Sequence, residues 1–233
     1  MAEPWTILIT GTSRGIGKYL AEYYLNKGHR VIGCSRKPSE WDHTRYLHFS
    51  MDVSDEQAAM DMFSRINREY SSLDVLINNA GIASMNPALL TPASALQKIY
   101  STNVFGMFLF CREAAKIMKR NRYGRIVNFS SVALPYKLEG ESVYASSKAA
   151  VVSLTQILAR EFADYSITVN AVGPPPVETD LIQSIAPEKI KRLVRRQAIK
   201  RKGEFKDISN VIDFFIKPES GFITGQVLYL GGA

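Results

Sequence analysis

Trp5-Thr6-Ile7-Leu8-Ile9-Thr10-Gly11-Thr12-Ser13-Arg14-Gly15-Ile16-Gly17 decides how this chain is read. A short apolar run, Trp5–Thr10, ends in a glycine-rich turn, and an amphipathic stretch, Gly15–Lys27, follows at once. The run suits a strand buried on both faces, and Gly-x3-Gly-x-Gly suits a tight strand-to-helix junction. Glycine lets the main chain turn sharply and approach an anion with no Cβ in the way. The first N–H groups of the helix and the positive end of its dipole then face that anion. Plain strand-to-helix packing uses glycine as well, but a turn at the first such junction favours a pyrophosphate.

The alternation continues outward along the chain. Strands are predicted at Trp5–Thr10, Arg30–Ser35, Tyr46–Ser50, Val75–Asn78, Arg125–Phe129, Ile167–Val172 and Gln226–Leu230. Helices are predicted at Gly15–Lys27, Asp55–Glu69, Ala93–Arg120, Val143–Phe162, Pro187–Arg196 and Asp207–Phe215. Ser54 reads as an N-cap before an acidic first turn, and Gly28 as the C-cap of the first helix. With no repeat or linker, residues 1–233 read as one α/β domain. Its Rossmann-type, doubly wound sheet has seven parallel strands and helices on both faces.

At 233 residues the chain can bury a full core without disulfides or metals. No apolar run is long enough for a bilayer, the N-terminus lacks signal-peptide character, and no metal-ligand cluster is present. Cys34 and Cys111 offer no disulfide framework, so a cytoplasmic setting is expected. The net charge of +7 gathers between Lys189 and Lys206, where nine basic residues meet only Glu204. Such a run is either a solvated helix face or an attractor for an anionic substrate or carrier. No nucleic-acid motif accompanies it, which argues against DNA or RNA.

The second strand ends in Ser35-Arg36-Lys37. About twenty residues past the glycines, NAD sites commonly place a carboxylate on the ribose 2′-hydroxyl. Here basic residues stand instead, with Arg14 nearby in the turn. A carboxylate repels a 2′-phosphate, whereas a guanidinium pairs with it through two hydrogen bonds. The predicted cofactor is NADP(H). Further on, Tyr144-Ala145-Ser146-Ser147-Lys148 opens a predicted helix and sets Tyr144 and Lys148 one turn apart. An ammonium beside a phenol favours the phenolate, so Tyr144 is expected to fall toward neutrality and exchange protons. Such a pair is commonplace alone. Asn78-Asn79-Ala80-Gly81 after the fourth strand, Asn103 in a long helix and Ser130-Ser131 after the fifth strand give it company.

With landmarks in order from Gly11 to Gly225, the chain resembles the short-chain dehydrogenase/reductase family over essentially its whole length. Its best likeness is to the 3-oxoacyl-carrier-protein reductase branch. The resemblance implies hydride transfer between NADP(H) and a carbonyl or alcohol carbon, with Asn103, Ser131, Tyr144 and Lys148 as the catalytic tetrad. Ser131 is taken over Ser130 because it stands thirteen residues before Tyr144, as in the family pattern. Ser131 would bond the substrate oxygen and Tyr144 deliver its proton. Lys148 would grip the nicotinamide ribose and tune Tyr144, and Asn103 would anchor a proton-relay water.

On the cofactor side, the resemblance implies that Gly11, Ser13, Arg14, Gly15, Ile16 and Gly17 cradle the pyrophosphate. Ser35 and Arg36 would meet the 2′-phosphate, Asp52 and Val53 the adenine, and Asn79, Ala80 and Gly81 the adenosine ribose. Pro174, Val177 and Thr179 would join Tyr144 and Lys148 around the nicotinamide. It also implies a homodimer or homotetramer that pairs Ala93–Arg120 and Val143–Phe162 across a two-fold axis. Phe105, Phe108, Phe110, Val152 and Leu158 are its candidate contacts.

Three departures bear on substrate and assembly. A family Pro-Gly reads Pro174-Pro175, followed by Pro176, which stiffens that loop. A frequent terminal Asp-Gly-Gly reads Gly231-Gly232-Ala233, and Glu139 and Glu141 precede Tyr144. The leading expectation is a reductase of a 3-oxoacyl thioester or similar small ketone, carrier-bound or free. A second is a reductase of a sugar or secondary metabolite, whose polar or amine groups meet Glu139 and Glu141. A third, of another class, is a non-catalytic NADPH-binding scaffold, since fold alone does not imply activity.

Overall fold

A computed structural model describes residues 4–39, 41–70, 72–179, 182 and 186–233. The strands are β1 (Thr6–Thr10), β2 (Arg30–Ser35), β3 (Tyr46–Ser50), β4 (Val75–Asn78), β5 (Gly124–Phe129), β6 (Ile167–Gly173) and β7 (Val227–Tyr229). They form one parallel sheet in the order β3-β2-β1-β4-β5-β6-β7. The helices are α1 (Gly15–Asn26), α2 (Glu56–Glu69), α3 (Ala93–Tyr100), α4 (Met107–Asn121), α5 (Ala133–Tyr136), α6 (Ser142–Glu161), α7 (Pro187–Arg196) and α8 (Phe205–Ile216).

Successive strand residues point to opposite faces, and both faces here are dry, which is why the strands read as continuous apolar runs. Leu8, Ile32, Leu76 and Ile126 pack on one face against Phe63, Phe110 and Leu158 of α2, α4 and α6. Ile7, Ile9, Val31 and Ile77 pack on the other against Leu20 and Tyr24 of α1 and Ile212 and Phe215 of α8. Strand order reverses between β1 and β4, and the crevice at their carboxyl ends is where an open sheet of this kind takes a ligand. No helix among the described residues is long and apolar enough to cross a membrane.

Local expectations are corrected in four places. The cap of α2 is Asp55, whose carboxylate accepts from Ala58 N–H at 3.0 Å, while Ser54 donates its hydroxyl to Asp52. Gly28 lies one residue past the C-cap Lys27, at φ +92°. Its N–H bonds Leu25 O and that of His29 bonds Tyr24 O, a Schellman closure. The long helix Ala93–Arg120 is interrupted by a π-helical segment, Ser101–Gly106. There Gly106 lies so close to Val53 that a Cβ would stand 2.8 Å from Val53 Cγ2. Finally, Phe110 and Leu158 are buried against their own sheet, whereas Phe105 is 61% exposed.

The basic segment is also better paired than its own sequence suggests. Arg201 is bound by Asp207, Lys202 by Glu178, Lys191 by Glu188 and Lys206 by Glu204. Glu188 and Asp207 flank the segment directly, and folding supplies Glu178. Lys189, Arg192 and Arg196 of α7 instead line the crevice.

Candidate active site

The crevice is a cleft of about 1350 Å³. At its floor the glycine turn is built by close backbone approaches. Gly11 and Gly15 hold φ of +77° and +57°, where a side chain is strained. A Cβ on Gly17 would stand 2.3 Å from Gly11 O, so only hydrogen fits between helix and turn. Gly11 N–H donates to Cys34 O at 2.8 Å, tying the turn to β2. Asn79 Nδ2 donates to Thr10 O, and Ala80 N–H to Thr10 Oγ1, both at 2.9 Å, tying it to β4. The Asn79 amide thus braces the cradle. Helix α1 starts with no side-chain cap and no acid in its first turn, so its leading N–H groups suit a pyrophosphate. Ser13, Arg14, Gly15 and Ile16 line this end, and Thr179 closes to 3.4 Å from where a Gly15 Cβ would be.

At the end of β2, Ser35 turns its hydroxyl inward to Lys37 O at 2.8 Å. Its role is therefore to shape the corner that presents Arg36 and Lys37. His48 bridges the same corner, 3.0 Å from Lys37 O and 2.9 Å from the Tyr46 hydroxyl, which donates to Thr12 Oγ1. Gly33 makes room for Tyr46, since a Cβ there would lie 2.2 Å from its hydroxyl. Tyr46 and His48 went unremarked in the sequence, where the only signal is two polar rings at alternate positions of an edge strand. Partial burial opposes the Asp52 charge, but two hydrogen bonds from Ser54, aided by Arg36 and Lys98, hold its carboxyl below the ordinary range. Val53 packs under the π segment.

The first turn of α6 brings Tyr144 to the cleft wall near Ser131, both of which line the cleft. Lys148 lies one turn on, its Nζ 5.7 Å from the Tyr144 ring centre. The expected depression of Tyr144 is not what the protein shows. Burial pushes its phenol up to about 12, with Glu141 adding to the rise and Ser131 opposing it. Lys148 does not offset this because its ammonium donates to Phe129 O at 2.7 Å, and burial pulls it down to about 8. Asn103 clasps Ile82, accepting from its N–H and donating to its carbonyl, both at 2.9 Å, and also donates to Ser147 Oγ. Ser147, overlooked in the sequence, sits inside the Tyr-x3-Lys motif itself. Gly81 faces both groups, 3.4 Å and 3.5 Å from Asn103 Oδ1 and Lys148 Nζ at its Cβ position. Ser130 lies buried, its hydroxyl without a partner among the described residues.

Beyond Tyr144 the cleft is walled by Pro174, Pro175, Pro176 and Val177 and by α7. The proline loop is pinned from behind: Gly203 N–H donates to Pro176 O at 2.9 Å, and Val177 bridges Gly203. Gly231 O accepts from Ala198 and Ile199, so the altered C-terminal residues fasten the chain that follows α7.

A doubly wound sheet with a glycine turn at the head of α1, and a half-buried Tyr144 and Ser131 beside the buried Lys148 in the same cleft, fits an oxidoreductase that uses a nicotinamide cofactor. The short chain dehydrogenase family model matches residues 5–190, and the chain belongs to the short-chain dehydrogenase/reductase family. It is 31% identical over 231 residues to the 3-oxoacyl-[acyl-carrier-protein] reductase of Vibrio cholerae, covering 97% of this chain and 95% of that one. The Escherichia coli reductase of the same name is 29% identical over the same shares. Among solved structures, ElxO with NADP bound superposes with a TM-score of 0.89 at 30% identity, covering 98% and 97% of the two chains. A 4-hydroxyisoleucine dehydrogenase complexed with NADH gives 0.88 at 28% identity, covering 98% and 97%. The aldohexose dehydrogenase of Thermoplasma acidophilum gives 0.89 at 30% identity, covering 99% and 94%.

Proposed function

We propose that this chain is an NADPH-dependent reductase that converts a ketone to a secondary alcohol, with Tyr144 as the general acid. The observation that carries this reading is the presence, in one cleft, of the uncapped first turn of α1 and the Tyr144–Ser131 pair beside Lys148. NADP(H), when bound, supplies or accepts the hydride. The glycine turn would hold its pyrophosphate, and Arg36 and Lys37, steadied by Ser35 and His48, its 2′-phosphate. Asp52, Val53 and Asn79–Gly81 would flank the adenosine, and Pro174, Val177 and Thr179 the nicotinamide end. The relative bound to NADP supports that choice, as does the absence of a carboxylate at the end of β2.

Ser131 orients the carbonyl oxygen and Tyr144 gives it a proton. A phenol held up near 12 keeps its proton at neutral pH, which suits the reductive direction. Lys148 stands ready to stabilise the phenolate left behind. Both amide hydrogens of Asn103 are engaged, so a relay water would fall to a main-chain carbonyl freed by the π turn. Its substrate is a small carbonyl compound. The curated relatives favour a 3-oxoacyl thioester, free or carried by an acidic protein drawn to α7, and the aldohexose dehydrogenase supports the alternative of a polar sugar-like ketone. Two buried free cysteines suit a cytoplasmic setting, and exposed Leu96, Phe105 and Ile157 suit a homodimer or homotetramer.

The test is NADPH oxidation with a panel of acyl thioesters, diketones and keto-sugars, run on the wild type and Tyr144→Phe. Removing the hydroxyl while keeping the ring is expected to lower turnover about a hundredfold or more, with NADPH affinity nearly unchanged. Equal turnover in the variant removes Tyr144 from the mechanism. Tight NADPH binding with no turnover on any ketone favours the scaffold reading.

A further inference from the structure

Glu141 stands three residues before Tyr144, at the N-cap of α6, and is 7% exposed. Its main chain is fixed, the carbonyl accepting from Ala145 N–H at 2.7 Å, but its carboxylate does not cap the helix. Instead Oε2 is buried without a hydrogen-bond partner among the described residues, on a side chain in the wall of the same cleft that holds Tyr144 and Ser131. The cation facing it, Lys189 of α7, forms no ion pair with it and rests its Nζ 3.4 Å from Met85 Sδ. Buried polar atoms are nearly always satisfied, so an orphan beside the reacting group marks a place for a ligand atom.

We infer that Glu141 selects the substrate by hydrogen-bonding a hydroxyl next to the reacting carbonyl, while Lys189 and Arg192 hold an anionic group at the far end of the same molecule. This rests on the reductase reading above. A plain alkyl chain would leave Oε2 unpaired, whereas a hydroxyl donates to it. An ammonium is the poorer partner, because Lys137, Lys189, Arg192 and Arg196 outnumber Glu139 and Glu141 around this part of the cleft. Burial also raises the Glu141 carboxyl above its ordinary range, with Lys189 opposing, which favours a neutral donor over an ion pair. Arg192 is exposed on the helix that forms one wall, and no hydrogen bond or ion pair holds it among the described residues. The substrate class is thus an anionic hydroxy ketone rather than an unsubstituted 3-oxoacyl chain.

The test compares kcat/KM for 2-butanone and 1-hydroxy-2-butanone, and for dihydroxyacetone and its phosphate, in wild type, Glu141→Gln and Glu141→Leu. Each variant is first shown to melt cooperatively and to be stabilised by NADPH. Wild type is expected to favour the hydroxy ketone by about tenfold or more, Glu141→Gln to keep part of that ratio, and Glu141→Leu to lose it. The phosphate should be favoured at low salt and the advantage should shrink as salt screens α7. The ratios, not single rates, are the readout, so a general loss of activity does not imitate the effect. A wild type that prefers the plain ketone, or an unchanged ratio in both variants, overturns the inference and leaves Tyr144-dependent reduction standing. If no ketone oxidises NADPH, the reductase reading fails and this inference falls with it.

Discussion

Replacing Lys148 with Met should make the protein more stable and inactive. The Lys148 side chain is 5% exposed and has no carboxylate partner among the described residues; its hydrogen bond is to Phe129 O at 2.7 Å. A fall from the ordinary 10.5 to about 8 means that keeping the charge inside costs about 3 kcal/mol at neutral pH. Methionine fills much the same space and carries no charge, but the bond to Phe129 O is lost, at about 1.5 kcal/mol. The net gain is about 1–2 kcal/mol, or roughly 2–8 °C in Tm for a chain of this size. The sign with pH follows from proton binding. Between about pH 8 and 10.5 the unfolded lysine keeps its proton while the native one releases it, so wild-type stability rises across that window. The advantage of the variant should therefore be largest at pH 7 and shrink by pH 10. Melting of both proteins without cofactor at the two pH values measures it, alongside a turnover assay. A variant that melts below wild type at pH 7, or a difference that ignores pH, refutes the claim that Lys148 is held at a cost to stability.

Gly17→Ala puts a Cβ 2.3 Å from Gly11 O, and the forced shift is expected to cost about 1–3 kcal/mol and to weaken NADPH at least tenfold. Calorimetry showing wild-type affinity would mean that the turn is not the cradle. Ser35→Asp combined with Arg36→Leu should move preference toward NADH by repelling the 2′-phosphate and removing its guanidinium. An unchanged ratio of kcat/KM for the two cofactors would contradict the reading of the β2 corner. Light scattering at micromolar concentration should give a dimer or tetramer, and Phe105→Asp, at an exposed apolar position, should lower that mass. A monomeric wild type would remove the assembly reading.

The central strands were legible because both faces of the sheet are buried there, so their runs are largely apolar, and the limits of all seven strands fall within a residue of the expected ones. The glycine turn was legible because backbone contact leaves no alternative at Gly11 and Gly17. What stayed hidden depends on partners distant in sequence. The π segment arises where Gly106 meets Val53 and Asn103 grips Ile82, and helical periodicity registers neither contact. The pairing of Lys202 needed Glu178 to be brought alongside. The inward turn of Ser35 needed His48 on the neighbouring strand.

The Tyr144–Lys148 pair shows why spacing alone misjudged the chemistry. One helical turn guarantees that the two side chains share a face, but it does not settle which group the ammonium bonds. Here burial acts on both at once and in opposite directions, raising the phenol and lowering the ammonium. Each shift favours the neutral form, and at neutral pH the resting site holds a protonated phenol and an ammonium bonded to the Phe129 carbonyl. In the proposed reduction, proton transfer to substrate would leave a phenolate beside an ammonium that lies 5.7 Å from the ring centre, where the two would interact more strongly than in water. On that proposal the stabilisation would be directed at the charge that develops rather than at the resting acid, which is where it would lower a barrier. A tyrosine depressed to neutrality would be a stronger acid, but about half of it would already be ionised at the same pH and unable to give a proton.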